Sequence, residues 1–188
     1  GKPSWDLGRP QPALVEIADQ ITGVVLDAGC GTGDNALFFA QRGQPVVGID
    51  FVEFPIIEAR RKGEELGVDA EFIQMDALKL PSLGRQFDSV LDCGLFHVLS
   101  DADRQAYVAA LAHITKLGGR LFLMCFSDQE PAGPGPRRIR QDEIRAAFAD
   151  GWTVKSIRPT HLSLIHSPKR PSWTVGRGLG LRSFGGGV

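Results

Sequence analysis

Apolar and polar positions along the 188-residue chain follow two different rhythms. Short, continuous or β-branched apolar runs at 23–29 (GVVLDAG), 44–50 (QPVVGID), 70–76 (AEFIQMD), 86–94 (QFDSVLDCG), 120–126 (RLFLMCF) and 152–159 (WTVKSIRP) predict six strands. Between them, segments 12–21, 34–42, 54–66, 100–116 and 139–148 carry the helical period. Local signals punctuate the helices. Pro12 and Pro55 stand in first turns, Gly43, Gly67 and the pair Gly118-Gly119 stand at ends, and Ser100 with Asp103 reads as an N-capping pair. Strands alternating with helices predict an α/β fold: a single doubly wound, mainly parallel sheet with helices on both faces. The stretch SDQEPAGPGPRRI (127–139) is a polar loop of functional length. Beyond Pro168 the pattern dissolves. Six of the last 13 residues are glycine, and only WTV (173–175) keeps strand character, so no strand is predicted there.

Composition adds mainly exclusions. A chain of this length holds one domain with a sizeable core, and 43% hydrophobic with 23% charged residues excludes disorder or a fibre for its bulk. No apolar run approaches the roughly 18–20 residues of a membrane span. The opening GKPSWDLGRP is no signal peptide, and the chain starts on Gly rather than Met, so its natural start can lie upstream. Cys30, Cys93 and Cys125, an odd number in or beside apolar runs, read as reduced thiols in a cytoplasmic protein. The net charge of −1 gives no case for a nucleic-acid partner. Yet residues 151–188 hold six basic side chains and no acidic one, which leaves −7 on the first 150. That end of the chain is a solvated basic edge or a lip that favours an anionic substrate.

In open α/β sheets ligands bind beyond the carboxyl ends of the strands, at the switch point. Acids stand at four such ends: Asp27, Asp50, Asp76 and Asp92. A glycine loop, Gly29-Cys30-Gly31-Thr32-Gly33, follows the first of them. A dinucleotide loop would need a third glycine where this chain has Asp34. A carboxylate at the mouth of that helix repels a diphosphate and suits a phosphate-free ligand with a cationic head. There is no nucleotide-triphosphate loop either.

These residues carry a resemblance. VVLDAGCGTG (24–33) resembles the first motif of class I S-adenosylmethionine-dependent methyltransferases, and the likeness extends through Asp50, Asp76 and FDSVLDCGLFHVL (87–99) over about residues 3–160. SWDLGRPQP (4–12) and EPAGPGPRRIRQDEIRAAF (130–148) are similar to segments of the halide/thiol and thiopurine S-methyltransferase subgroup. The resemblance implies S-adenosylmethionine as cofactor. It divides the chain into a cofactor-covering segment and helix (1–22), a methyltransferase core (23–160) and a basic, Gly-rich, incomplete-looking end (161–188). It implies a cofactor site of Trp5, Asp27, Gly29, Cys30, Gly31, Gly33, Asp50, Phe51, Asp76, Ala77 and Cys93. The glycines let backbone approach the methionine part, where Asp27 or the backbone at Gly29 and Cys93 holds the amino-acid end. Asp50 accepts from the ribose hydroxyls, Asp76 with Ala77 reads the adenine, and Trp5 faces the sulfonium or forms a hydrophobic lid.

Methyl transfer from a sulfonium depends chiefly on alignment, and no cysteine and histidine spacing suits a metal. A thiol or phenol acceptor gains from a base, for which His97 is the candidate, the alternative being local packing. Phe96, His97, Phe126 and Asp128 are the expected acceptor contacts, and HLSLIH (161–166) is either pocket wall or edge strand. Where DNA amino-methyltransferases carry [DN]PP[YFW], this chain has DCGLF (92–96), which leaves a small-molecule acceptor: a phenol, a quinol or a thiol. Two other readings stand beside it, a non-catalytic cofactor-binding regulatory domain and a nicotinamide-dependent oxidoreductase. The expected assembly is a monomer or homodimer.

Overall fold

All six apolar runs form strands. The structure, a computed structural model, describes residues 3–131, 133, 135–165 and 167–181, and the side chains of 167–169 and 176–181 are not described. β1 (Val25–Ala28), β2 (Val46–Asp50), β3 (Ala70–Gln74), β4 (Phe87–Cys93) and β5 (Thr115–Phe126) pair in parallel. The run at 152–159 splits into β6 (Trp152–Thr153) and the start of β7 (Ile157–Leu164), and β8 (Ser167–Leu181) follows. The sheet order is β3-β2-β1-β4-β5-β8-β6, with β7 also on β8. The chain moves outward one way from β1 to β3 and the other way from β4 to β5. The switch point therefore lies between the carboxyl ends of β1 and β4.

The helices follow their signals: α1 (Pro12–Glu16), α2 (Asp34–Gln41), α3 (Glu53–Leu66), α4 (Asp101–Ile114) and α5 (Gln141–Ala147). The segment 12–21 yields only the short α1 and a 3-10 turn at Ala18–Gln20, and a second 3-10 stretch covers Ala77–Leu83. Ser100 Oγ accepts from the Asp103 N–H at 3.1 Å and opens α4 as expected. Alternation along β5 serves both layers. Leu121, Leu123 and Cys125 join the cluster under α4 and α5, while Phe122, Met124 and Phe126 join the cluster under α1, α2 and α3.

Two expectations are corrected. The helix before β5 ends at Ile114 and not at Gly118-Gly119. The Thr115 hydroxyl and N–H both close it on the Leu111 carbonyl, and Thr115 already pairs with Phe87. Residues 116–119 then leave the ladder, and Gly118 takes the positive φ of 79° this requires.

The second correction concerns the end of the chain, where no strand was predicted. There β8 lies antiparallel between β5 and β7, pairing Leu123 with Val175 and Phe126 with Ser172 on one side and Ile157 with Val175 on the other. Ladders on both edges override the poor propensity of a Gly-rich run. Ser172, Trp173 and Val175 are buried, and Trp173 Nε1 donates to the Ile139 carbonyl at 2.9 Å. The division placed at 160/161 falls inside β7.

Candidate functional site

The loop after β1 is built by glycine at two points. Gly33, at φ 82°, caps α2, and a Cβ there would stand 2.8 Å from Ala59 Cβ, so glycine lets α2 pack closely on α3. Gly31, at φ 53°, lies under the Trp5 ring, where a Cβ would come within 2.6 Å of Cζ3. Asp50, at the end of β2, holds this loop from the neighbouring strand. Its Oδ2 accepts from the Gly31 N–H at 3.0 Å and its Oδ1 from the Val52 N–H at 2.9 Å. A carboxylate fixed by two backbone donors still has lone pairs to offer a ligand.

Residues 3–11 cross this loop as a strap. The Gln11 side-chain amide donates to the Ser163 carbonyl at 3.0 Å and accepts from the Ser163 N–H at 3.0 Å, so it acts as one extra rung on β7. The Ser4 carbonyl accepts from the Ile165 N–H at 2.8 Å, and Gln11 N–H donates to Asn35 Oδ1 at 2.9 Å. Lys62 on α3 donates to Asp34 at 2.6 Å and to Thr32 at 2.8 Å, and lies 3.9 Å from the buried Asp6. The Asp34 charge, expected to repel a diphosphate, is thus paired with Lys62. The case against a dinucleotide then rests on the loop's glycine spacing.

Two carboxylates are sealed beneath the loops. Asp27 is fully buried, and neither oxygen has a hydrogen-bond partner among the described residues; the Ala36 N–H is near enough only to oppose the effect of burial. Burial, then the charge of Asp92, pushes its pKa up to about 7. Asp92, pushed up to about 6 by burial, is well partnered. It accepts from the Leu95 N–H at 2.9 Å, the Phe96 N–H at 3.1 Å and the Tyr107 hydroxyl at 3.0 Å. These bonds fix the turn after β4 so that Phe96 enters the core and His97 faces the cavity. Burial also raises the thiols of Cys30 and Cys93, which keeps both protonated.

His97 is held differently from a general base. Its Nδ1 accepts from the Phe126 N–H at 2.8 Å, and its ring stacks on that of Phe126 at 4.6 Å. An acceptor at Nδ1 places the proton of the neutral ring on Nε2, which is then a donor. Burial, followed by the charges of Arg104 and Arg138, lowers its pKa to about 4. The expectation of His97 as base is corrected on this ground: the free nitrogen already carries a proton and the ring resists a second. Next to it, the Arg170 guanidinium carbon lies 5.3 Å from the Phe126 ring centre, and Arg170 Nη2 contacts Glu130 Oε1 at 2.5 Å. The 127–139 loop is pinned by Arg138, which donates to the carbonyls of Pro131, Gly133 and Pro136.

These parts enclose a cavity of about 520 Å³, within the range of small-ligand sites. Of the expected cofactor contacts, Trp5, Gly29, Cys30, Gly31, Asp50 and Cys93 line it, with Trp5 46% exposed. Asp27 and Gly33 support the loop from behind. Asp76 caps the 3-10 turn through the Leu78 N–H, and it and Ala77 lie off the cavity wall. Phe51 is 72% exposed and turns away.

Of the acceptor contacts, His97 and Phe126 line the cavity. Phe96 is corrected: it is fully buried, stacked on Phe148 at 5.7 Å under the Arg104 guanidinium. Asp128 is corrected too, being exposed with its N–H turned back to the Ile139 carbonyl. The HLSLIH stretch is both things at once, since Leu162 and Leu164 line the cavity from an edge strand; His161 is exposed and His166 lies outside the described residues. Arg9, Gln11, Asn35 and Arg170 are wall residues that the sequence did not single out. Only Arg170 had a signal, the basic bias of 151–188.

A family model described as a methyltransferase domain matches residues 25–119. Over 166 residues the chain is 30% identical to the 2-heptyl-1-hydroxyquinolin-4(1H)-one methyltransferase of Mycobacteroides abscessus, a match covering 86% of this chain and 73% of that protein. It is 27% identical over 183 residues to probable thiol methyltransferase 2 of Arabidopsis thaliana, covering 94% and 80%. A solved structure from work on the conversion of a disulfide bond into a thioacetal group during echinomycin biosynthesis is 34% identical and superposes with a TM-score of 0.83, over 92% of this chain and 83% of that one.

Proposed function

Because the chain belongs to the class I S-adenosylmethionine-dependent methyltransferases, which fixes its cofactor and its activity on small molecules, we propose that its acceptor is a phenol or quinol oxygen or a thiol. The observation that carries this reading is the two-sided cavity. The glycine loop and Asp50 form one wall, and Phe126, His97, Leu162 and Leu164 form the other. The similar proteins named for a hydroxyquinolone and a thiol methylate an oxygen-bearing ring compound and a thiol by their names, and both acceptor types suit a wall that is largely apolar with few polar groups.

S-adenosylmethionine, when bound, supplies a methyl carbon on a sulfonium. The residues present fit it. Asp50, which has no cationic partner among the described residues, is free to accept from ribose hydroxyls. Trp5 over Gly31 offers an aromatic face to a cation and excludes water. The backbone at Gly29 and Cys93 holds the amino-acid end, and the orphaned Asp27 carboxylate beneath adds an uncompensated acid that favours an ammonium. The family resemblance assigns the adenine to Asp76 and Ala77, which with Phe51 lie off the cavity wall. Phe126, Leu162 and Leu164 orient the acceptor, and alignment supplies up to about 7–11 kcal/mol of the barrier reduction in favourable systems.

Residence in a reducing, cytoplasmic compartment belongs to the same proposal, supported by three free cysteines. So does a small-molecule rather than nucleic-acid partner for a chain of net charge −1, acting as monomer or homodimer. No helix among the described residues is long and apolar enough to cross a membrane. Calorimetric titration with S-adenosylhomocysteine, with NADH as control, tests the cofactor side. Micromolar or tighter binding of the first alone is expected, followed by methylation of a member of a thiol, phenol and quinol panel. Heat with NADH and none with S-adenosylhomocysteine sinks the reading.

A further inference from the structure

Among the described residues the acceptor wall carries a cation, Arg170, and a histidine that donates, and no base. His97 and Arg170 both rest on the Phe126 ring, the first stacked at 4.6 Å and the second with its guanidinium carbon 5.3 Å from the ring centre. Nδ1 of His97 is occupied by the Phe126 N–H, so Nε2, on the side of cavity-lining Gly94, carries a proton. The charged groups around it, Arg104 from α4 and Arg138 from the 127–139 loop, are both cationic and keep it a neutral donor.

Among the described residues an acid that does not itself line the cavity is paired with Arg170. Glu130, which is buried, contacts Arg170 Nη2 at 2.5 Å. Arg170 Nε and Glu130 Oε2 are both buried without a hydrogen-bond partner among the described residues, so one contact joins the pair and leaves it unsaturated. The Arg170 side chain as a whole lines the cavity and is 27% exposed, so part of it can meet an acceptor atom on a ligand. Arg9, exposed on the strap, lines the same cavity and has no ion-pair partner among the described residues.

We propose that the methyl acceptor binds as a preformed anion, a phenolate, an ionised N-hydroxyl or a thiolate, with Arg170 as its counter-ion and His97 Nε2–H as a hydrogen-bond donor. This rests on the methyltransferase reading and narrows it. The ionised oxygen or sulfur gives its electron pair to the methyl carbon, and the pair of the broken carbon–sulfur bond stays on the sulfur of the donor. The negative and positive charges cancel, and no proton moves, so no base is required. The basic lip that the composition of 151–188 suggested is reduced to Arg170, the one described side chain of that segment's six basic residues that reaches the cavity.

The test uses dead-end binding, which needs no turnover. The protein saturated with S-adenosylhomocysteine is titrated calorimetrically with matched acceptor pairs that differ in acidity, such as 4-nitrophenol with 4-methylphenol and 4-nitrothiophenol with benzyl mercaptan. Titrations run at about pH 8, where a simple phenol titrating near 10 is still neutral. The ionised member should bind about tenfold or more tightly, as a hydrogen bond to a charged group allows.

Arg170→Met should erase that preference while S-adenosylhomocysteine still binds. Since Arg170→Met strands the buried Glu130 charge, Glu130→Gln with Arg170→Met is measured beside it. Equal binding of neutral and ionised members, failure of every ionised member to bind, or a preference unchanged in both variants overturns the proposal. A failure of S-adenosylhomocysteine itself to bind instead overturns the methyltransferase reading on which it stands.

Discussion

The two walls of the cavity are assembled from the chain in different ways. The wall around the glycine loop comes from residues 29–35 and 50, the ends of two adjacent parallel strands, braced from within one βαβ unit by Asp50, Lys62 and the packing of Gly33. The opposite wall draws on the turn after β4, the end of β5, the 127–139 loop and the β7–β8 hairpin, so neighbours such as His97, Phe126 and Arg170 are far apart in sequence. The first wall is acidic beneath its backbone, with Asp27 and Asp50. The second is basic, with Arg170 and a histidine that donates. On the proposed reading a cation fits against the one and an electron-rich nucleophile against the other, so the difference would align two reactants by their charge.

Removing Asp50 should break the first wall most severely. Asp50→Ala loses the acceptor for two ribose hydroxyls and the bond that holds Gly31. Charge-assisted bonds of about 1.5–3 kcal/mol each predict a loss of on the order of 100-fold or more in S-adenosylhomocysteine affinity, read by calorimetry. Asp27 makes the apoprotein less stable as pH rises from about 4 to about 7. Its folded pKa of about 7 stands above its ordinary 3.8, so the native state favours the protonated acid. Stability is then full below about pH 4 and declines as pH rises through about 7, by roughly 4 kcal/mol at the limit, with Asp92 adding in the same direction. Urea denaturation of Asp27→Asn at a series of pH values should show that slope flattened.

His97 has the opposite sign. Lowered to about 4 from 6.5, it contributes stability that is present above about pH 6.5 and lost toward pH 4, roughly 3 kcal/mol in all. Replacement by Gln should remove the rise between about pH 4 and 6.5, the window in which Asp27 acts with the opposite sign. Nitrogen-15 NMR of the wild type should show the Nε2–H tautomer unchanged between about pH 5 and 8; a protonated ring in that range would restore the base assignment. Gln11→Ala should have the smallest effect, about 1–2 kcal/mol for its two bonds to Ser163, seen as faster hydrogen exchange of the Ser163 and Ile165 amides.

What could be read from the sequence divides along the same line. VVLDAGCGTG and Asp50 were legible because their geometry is local: a strand end, a turn needing positive φ, and a helix start follow one another in the chain. The strands and most helices were legible for the same reason. His97 lies on the cavity wall, but its tautomer depends on the backbone of Phe126, 29 residues away. Phe96 and Asp128 were assigned to the cavity because strand-end position alone does not say to which side a turn directs its side chains. The C-terminal strand was missed because two neighbouring ladders, not its own residues, make it a strand. Arg170 could be reached only as a charge bias, since nothing near it in sequence shows Phe126 beneath it.

The Gln11–Ser163 rung also orders events in time. Its partners are 152 residues apart, and Arg170 comes later still. While the chain is being made, β1 to β5 can form their mostly sequential pairings early, but the strap has nothing to fasten to until β7 has emerged. The cavity is therefore the last part of the molecule to mature. A chain clipped before β7 would lack the strap's fastening as well as the strand that covers β5, and so could not close this cavity over a reactive sulfonium.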